Sequence, residues 1–344
     1  MRKKVALKDI AKQVGVSAAL VSYVLNGKEK EARVSVAMVE KIRKAAAALH
    51  YQPNHIAKSL QSGKTNTIGL IVADISNPFF SNIARIIEDE AKKNGYVVLF
   101  GSSDESAEKQ QDLIDVFLNR LVDAIIIAPT AGTEKQIVAL QKRNIAVVLI
   151  DRYFPGIAAD CVRLNNFKAA AKAVKHLVRN KRGKIAMLIY DTPLAHMQER
   201  KKGYKAALKA NGIKYKKNWL LQASYQNIQQ DVAEQMQLLL QPLQADALIF
   251  ATNSLAVAGL KKINELGIKV PEELAIISFD ENEAFDFFYS PVTYINQSVS
   301  SIGAGAVQLI IKKINGIATK PATMMIDPQL IIRESCGSKM KKKK

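Results

Sequence analysis

The sequence predicts a helix-turn-helix head followed by an α/β core made of two parallel-sheet halves. Three observations carry that expectation. The chain has 344 residues, enough at roughly 100–200 residues per domain for two or three domains with real cores. Its N-terminal segment shows only helix-spaced apolar residues, punctuated by Gly and Ser. From Ile68 onward, β-branched runs alternate with amphipathic stretches, the pattern of parallel strands joined by crossover helices.

In the head, Leu7, Ile10, Ala11 and Val14 recur at helical spacing, and Gly15 stops the run because it is free to take a positive φ. Ser17 is placed to cap a second helix, Ala18–Leu25, with Leu20, Val21, Val24 and Leu25 apolar. Asn26-Gly27 ends it, and Ser35 caps a third helix over about Val36–His50, with Val39, Ile42, Ala46 and Leu49 as its buried stripe. Helix, short Gly-containing turn, helix is the helix-turn-helix pattern. Beyond Tyr51, Asn54 can start a short helix and Gly63 can end it. So short a helix is marginal alone and needs a partner helix or DNA to form.

The core reads as strands over Ile68–Ala73, Tyr96–Gly101, Asp123–Ala128 and Ala146–Ile150, with amphipathic segments near 80–94, 107–120 and 134–143. The pattern then repeats, with strands near 184–190, 218–223, 246–250 and 274–279 and helices near 167–180, 198–211, 228–240 and 254–266. The expected organisation is a DNA-binding domain at 1–52, a hinge at 53–65, a core at 66–337 and a basic tail at 338–344.

Composition narrows the function. Lys+Arg number 50 against 31 Asp+Glu, a net charge of +19. Residues 1–64 hold a net +9 and residues 338–344 a further +5, leaving +5 for the 273 residues between. A basic head on a nearly balanced body points to nucleic acid. The two cysteines, Cys161 and Cys336, lie far apart in no metal-ligand spacing, which predicts neither disulfide nor zinc and fits a reducing cytoplasm. Charged residues interrupt the N-terminus before any secretory apolar segment develops, and no apolar run is long enough to span a bilayer. The four histidines show no metal spacing, and there is no P-loop, GxSxG or CxxC. No catalytic residue, metal or cofactor is therefore expected. An enzyme and a sugar-binding transport protein are the rival classes. The first lacks a motif, and the second is disfavoured by the basic head and missing signal peptide.

The strings LKDIAKQVGVSAALVSYVLNG and YQPNHIAKSLQSGKTNTIGLIVADISNPFF resemble the lactose-repressor/galactose-repressor (LacI/GalR) family of bacterial transcription regulators. ERKKGYKAAL, ATNSLAVAGL, VPEELAIISFDENE, SPVTYINQ and LIIRES continue the resemblance in family order over essentially the whole chain. It implies a periplasmic-binding-protein-like core with three chain crossings, placed near 162–164, 291–294 and 322–325. The N-subdomain is then about 66–163 and 294–323, and the C-subdomain about 164–293 and 324–337, with helix 299–315 returning to the first half.

The resemblance also nominates residues. Ala18, Ala19, Ser22 and Tyr23 occupy the positions that face base edges, with Ser17, Tyr51 and Asn54 towards phosphates. The hinge motif adds His55, Ala57, Lys58 and Leu60, the last as a minor-groove wedge. This chain departs from the family in having Ala18-Ala19 where polar residues are usual and Tyr23 where Arg is usual. Two methyl groups and one phenol cannot reproduce a bidentate guanine contact. Ala6 stands where a capping Ser or Thr is common. For a small-molecule effector between the halves, the resemblance nominates Phe79, Phe80, Asp151, Arg152, Arg200, Tyr225, Asn253 and Asp280. Carboxylate, amide and guanidinium groups beside an aromatic face suit the vicinal hydroxyls of a sugar. Ser254 replaces the Asp that commonly follows the Asn. The implied partners are a pseudo-palindromic operator in double-stranded DNA, an effector (sugar, sugar phosphate or nucleoside-like) and a second copy of the chain in a homodimer.

Overall fold

The computed structural model describes residues 5–51, 63–241, 243–317 and 320–338. The chain divides into two compact units, 1–65 and 66–344. In the first, helices Leu7–Val14, Ala18–Leu25 and Val36–Ala48 enclose a small core of Ile10, Val14, Val21, Val24, Val39 and Ile42. Ser17 Oγ accepts from Leu20 N at 3.2 Å and Ser35 Oγ from Met38 N at 3.4 Å, the two expected caps. Ala6 supplies no side-chain cap, but its own N–H donates to Asp9 Oδ2 at 2.8 Å, so half of a capping box survives. Gly15, at φ 80°, takes the left-handed turn that separates the first two helices.

The second unit contains two six-stranded sheets. In chain order the strands are β1 Thr67–Val72, β2 Val97–Ser102, β3 Ala124–Ile127, β4 Ala146–Ile150, β5 Asp160–Leu164, β6 Ile185–Tyr190, β7 Leu220–Ala223, β8 Ala247–Phe250, β9 Ala275–Phe279, β10 Thr293–Asn296, β11 Thr323–Ile326 and β12 Gln329–Ile331. The first sheet has the order β11-β5-β4-β3-β1-β2 and the second β12-β10-β9-β8-β6-β7. Every pairing is parallel except β10 with β12. Continuous burial of strands such as β3, β8 and β9 reflects helices on both faces.

All three expected crossings move: β5 stays in the first sheet as far as Leu164, so the first crossing falls at about 165. β10 pairs with β9, Ile295 opposite Phe279, so residues 293–296 belong to the second half and the chain leaves it only at 297–298. β11 pairs with β5, Ile326 opposite Leu164, so residues 323–326 belong to the first half and the last crossing falls at 327–328. Both strands have four residues, too short for a periodicity to show, and sheet pairing alone assigns them. Helix Val299–Ile314 packs on the first half through Ile302, Ala306 and Ile310, beside Ile83, Ile87 and Val162. A Cβ on Gly303 would meet Ile86 Cγ2 at 2.6 Å, so this glycine serves close helix packing. Cys161 and Cys336 are both free and buried.

A tighter approach joins helices Asn166–Arg179 and Ala195–Ala210 in the second half. A Cβ on Gly203 would lie 2.2 Å from the Phe167 carbonyl oxygen, a backbone atom that cannot rotate away. Gly203→Ala is expected to destabilise the core by about 1–3 kcal/mol or more, measured as a lower urea midpoint at unchanged m-value.

Candidate functional site

The helices on a parallel sheet leave a crevice at the carboxyl ends of the strands. Here that crevice lies between the two sheets and is lined by residues of both halves. Phe79 and Phe80 enter it from helix Pro78–Lys93 after β1, and Glu105 follows β2. Asp151 and Arg152 follow β4, Tyr225 follows β7 and Asp280 follows β9. Tyr190 ends β6, Gln297 follows β10, and His196 and Arg200 come from helix Ala195–Ala210. Asp151 and Asp280 both adopt left-handed backbone, φ 60° and 65°, at corresponding strand ends. Such strain persists at positions the surrounding structure over-determines and clusters at binding sites.

The cavity charges are largely compensated from within. Arg152 is held bidentately by Glu105, Nη2 to Oε1 at 2.6 Å and Nη1 to Oε2 at 2.7 Å, and lies 5.5 Å from the Phe80 ring centroid. Arg200, 1% exposed, donates Nε to Asn166 Oδ1 at 2.7 Å and Nη1 to the Ala251 carbonyl, and covers the Phe279 ring at 4.2 Å. Gln297 Nε2 and the Asn253 N–H both donate to the Asp280 carboxylate, whose pKa burial nevertheless raises. Burial also lifts Asp151 to about 6 against the pull of Arg152 and Arg200. His196 is pushed the other way, well below the ordinary imidazole range, first by burial and then by the same two arginines, so it is neutral at pH 7.

Seven buried side-chain polar atoms among the described residues have no hydrogen-bond partner, and five of them belong to this cavity's lining. They are Asp151 Oδ1, Arg152 Nε, His196 Nδ1, Tyr225 OH and Gln297 Oε1. Buried polar groups left unsatisfied are costly, and their concentration in one place marks a site prepared for a polar occupant.

Seven of the eight nominated core residues line the cavity: Phe79, Phe80, Asp151, Arg152, Arg200, Tyr225 and Asp280. Asn253 stands behind the wall instead. It is fully buried, and its Nδ2 donates to Asn77 Oδ1 at 3.0 Å. Asn77 Nδ2 in turn donates to Ser254 Oγ at 3.3 Å, so these three residues latch the two halves together. A second latch is Glu199, which accepts from Tyr153 OH at 2.6 Å and Arg163 Nη1 at 3.0 Å. Tyr225 already stacks on Tyr190, centroids 3.9 Å apart at 21°, so one of its two faces is covered. Sequence reasoning missed Glu105, His196, Tyr190 and Gln297. Glu105 and Gln297 share the signal that nominated Asp280, a polar residue just beyond a parallel strand. His196 belongs to no metal-ligand spacing, and the described residues hold no cluster suited to a metal.

In the head, Ala19 and Tyr23 are exposed, Tyr23 at 44%, while Ala18 and Ser22 are half-buried on the same helix. Ser22 Oγ accepts from Asn26 Nδ2 at 3.2 Å and Ser17 is occupied as a cap. Tyr51 is half-buried against the head's core. Asn54, His55, Ala57, Lys58 and Leu60 lie outside the described residues.

A three-helix head of this kind and a two-sheet core with a buried polar cavity define a class, the ligand-responsive DNA-binding regulators. Known proteins narrow it. Residues 65–334 match the model of periplasmic binding proteins and the sugar binding domain of the LacI family, and residues 6–54 that of bacterial regulatory proteins of the lacI family. The chain therefore belongs to the LacI family, as a DNA-binding transcriptional regulator with a ligand-binding core. The transcriptional repressor PurR of Pasteurella multocida is 27% identical over 97% of this chain and 99% of its own length. The regulator GalS of Salmonella typhimurium is 28% identical over 96% of each. The lac repressor dimer bound to operator and an anti-inducer shares the fold with a TM-score of 0.85, at 22% identity over 97% of this chain and 99% of that one. A CelR–cellobiose complex superposes with a TM-score of 0.73, at 23% identity over 96% of this chain and 100% of that one.

Proposed function

We propose that this protein is a cytoplasmic, homodimeric repressor that binds a pseudo-palindromic operator and releases or tightens on it when an uncharged ring-shaped molecule, a sugar or nucleoside-like compound, occupies the core cavity. The observation that carries this reading is the convergence of five buried polar atoms without a hydrogen bond on one cavity that also presents aromatic rings. Donors and acceptors are mixed there, as hydroxyl or base-edge recognition requires. Sugar phosphates are the less favoured effectors, because Glu105 neutralises Arg152 while Asp151 and Asp280 offset Arg200. No helix among the described residues is long and apolar enough to cross a membrane. A ligand that changes the angle between the halves would act through the Asn77 and Glu199 latches, with a coupling of about 1–3 kcal/mol typical of such switches.

The test is a thermal-shift and calorimetric screen with neutral sugars, nucleosides and sugar phosphates, followed by operator binding with each hit. Saturable binding of a neutral ring that also changes operator affinity supports the reading, and binding confined to anions refutes it. Glu105→Gln is expected to leave Arg152 offset by Asp151 alone, shifting preference towards phosphorylated ligands in the same screen. On the DNA side, Tyr23→Arg is expected to change the half-site preference, since Arg adds a bidentate guanine contact worth about 1–3 kcal/mol. Binding selection returning the same half-site for both proteins would remove Tyr23 from the reading set.

A further inference from the structure

The modest +5 of the segment between head and tail conceals a segregation. Residues 166–217 hold 15 Lys+Arg against 2 Asp+Glu, while the remainder of 65–337 is net −8. We propose that the lysine face built by helices Asn166–Arg179 and Ala195–Ala210 is a second, sequence-independent binding surface for duplex DNA, carried by the core and separate from the head.

Register puts the cations on one side. Lys168, Lys172, Lys175 and Arg179 follow one another at spacings of four, three and four, and all are exposed. Lys202, Lys205 and Lys209 repeat the device on the adjoining helix, with Lys202 and Lys209 exposed. Lys214, Lys216 and Lys217 extend it through the following loop. Gly203, seated under the Phe167 carbonyl, brings the two helices that carry the stripes into direct backbone contact.

This charge is not balanced internally. Among the described residues the stripes make one ion pair, Lys168 with Asp327. The segment's two acids are engaged elsewhere, Asp191 with Gln222 and Glu199 with Tyr153 and Arg163. Lys172 donates to the Pro328 carbonyl, and Lys205 and Lys216 lie over the rings of Tyr215 and Trp219, interactions that leave their charges intact. Other surface helices alternate sign, as in Arg85–Glu88, Lys93–Glu90 and Lys262–Glu265. Like charges three and four residues apart repel and weaken a helix, so local stability does not account for the stripes.

The chemistry fits a phosphate backbone. Cations about 5–6 Å apart along a helix meet a polyanion with one charge per roughly 1.7 Å of axis. Flexible ammonium groups act as point charges and carry no base code, in contrast to an arginine fork or an amide. An acidic protein would satisfy the same charge. DNA is favoured because the chain belongs to a family of DNA-binding regulators, so duplex is a polyanion that it meets.

The test uses the full chain carrying Lys172→Gln, Lys175→Gln, Lys202→Gln and Lys209→Gln together, with a random-sequence duplex titrated across a salt series. The same set is made in a Tyr23→Glu background, where the head binds weakly. We expect at least a tenfold drop in random-duplex affinity at low salt in both backgrounds. The salt slope should fall by about 0.9 for each phosphate that the variant no longer neutralises. Lys→Arg at the four positions should restore both. Unchanged affinity and slope would overturn the proposal. So would a changed operator base preference, or poly-L-glutamate competing as well as duplex at equal charge, which would assign the face to an acidic protein. An unaltered melting temperature in the variant, together with its weakened random-duplex binding, separates surface charge from unfolding.

Discussion

Arg200→Ala is expected to abolish the response to any cavity ligand and to lower the melting temperature by roughly 5–15 °C, the counterpart of about 3–5 kcal/mol for breaking a buried charge network in a domain this size. From the sequence Arg200 is a ligand contact three residues before a glycine. In the structure it is also a tie between elements: its Nε holds Asn166 at the start of one helix, its Nη1 holds the Ala251 carbonyl beyond β8, and its plane covers Phe279 on β9. Removal leaves Asp280 buried without the cation that offsets it, and leaves Asp151 with Arg152 alone. Thermal denaturation with and without ligand reads both effects. A variant that melts like the parent and still responds to ligand would show that Arg200 does neither job. Arg200→Lys keeps the charge but not the planar fork, so it should recover stability in part and ligand response little.

Asp151→Asn is expected to move stability the opposite way. Burial raises this carboxyl from its ordinary 3.8 to about 6, so the folded protein holds the proton more tightly than the unfolded chain does. Its favourable contribution is complete below about pH 4 and is lost as pH rises through 6. At pH 7.5 the parent therefore carries a penalty of up to about 3 kcal/mol that the neutral amide removes. Asn also tolerates the left-handed backbone at this position. The variant should melt higher than the parent at pH 7.5, with the difference shrinking towards pH 4. Ligand affinity should fall, because the unpartnered Oδ1 is the acceptor offered to a hydroxyl. A variant less stable than the parent at pH 7.5 would show that Asp151 is worth more to Arg152 and Arg200 than its desolvation costs. The two substitutions share one network, so their effects should not add.

Much of the architecture was legible without coordinates. The three head helices, eight of the twelve strands and the seven long core helices between β1 and β9 lie where apolar periodicity and capping residues put them. β5, β10, β11 and β12 carried no such signal. They are three to five residues long and are strands only because a neighbour in the sheet accepts them. The cavity followed the same division. Motif matching reached Phe79, Arg200 and Asp280, but the Glu105 clamp on Arg152 spans 47 residues of sequence, and the Asn77 latch reaches 176 residues to Asn253. Asn253, nominated as a contact, became a support because its backbone and amide are both spent on neighbours.

Local chemistry was therefore enough to establish the head, the alternation of strand and helix, and the family, since each depends on residues a few positions apart. Which strand closes which sheet, which polar atoms remain unsatisfied and where like charges gather are properties of distance in space. They are set by pairing and packing between segments far apart in the chain, and only the folded core brings them together.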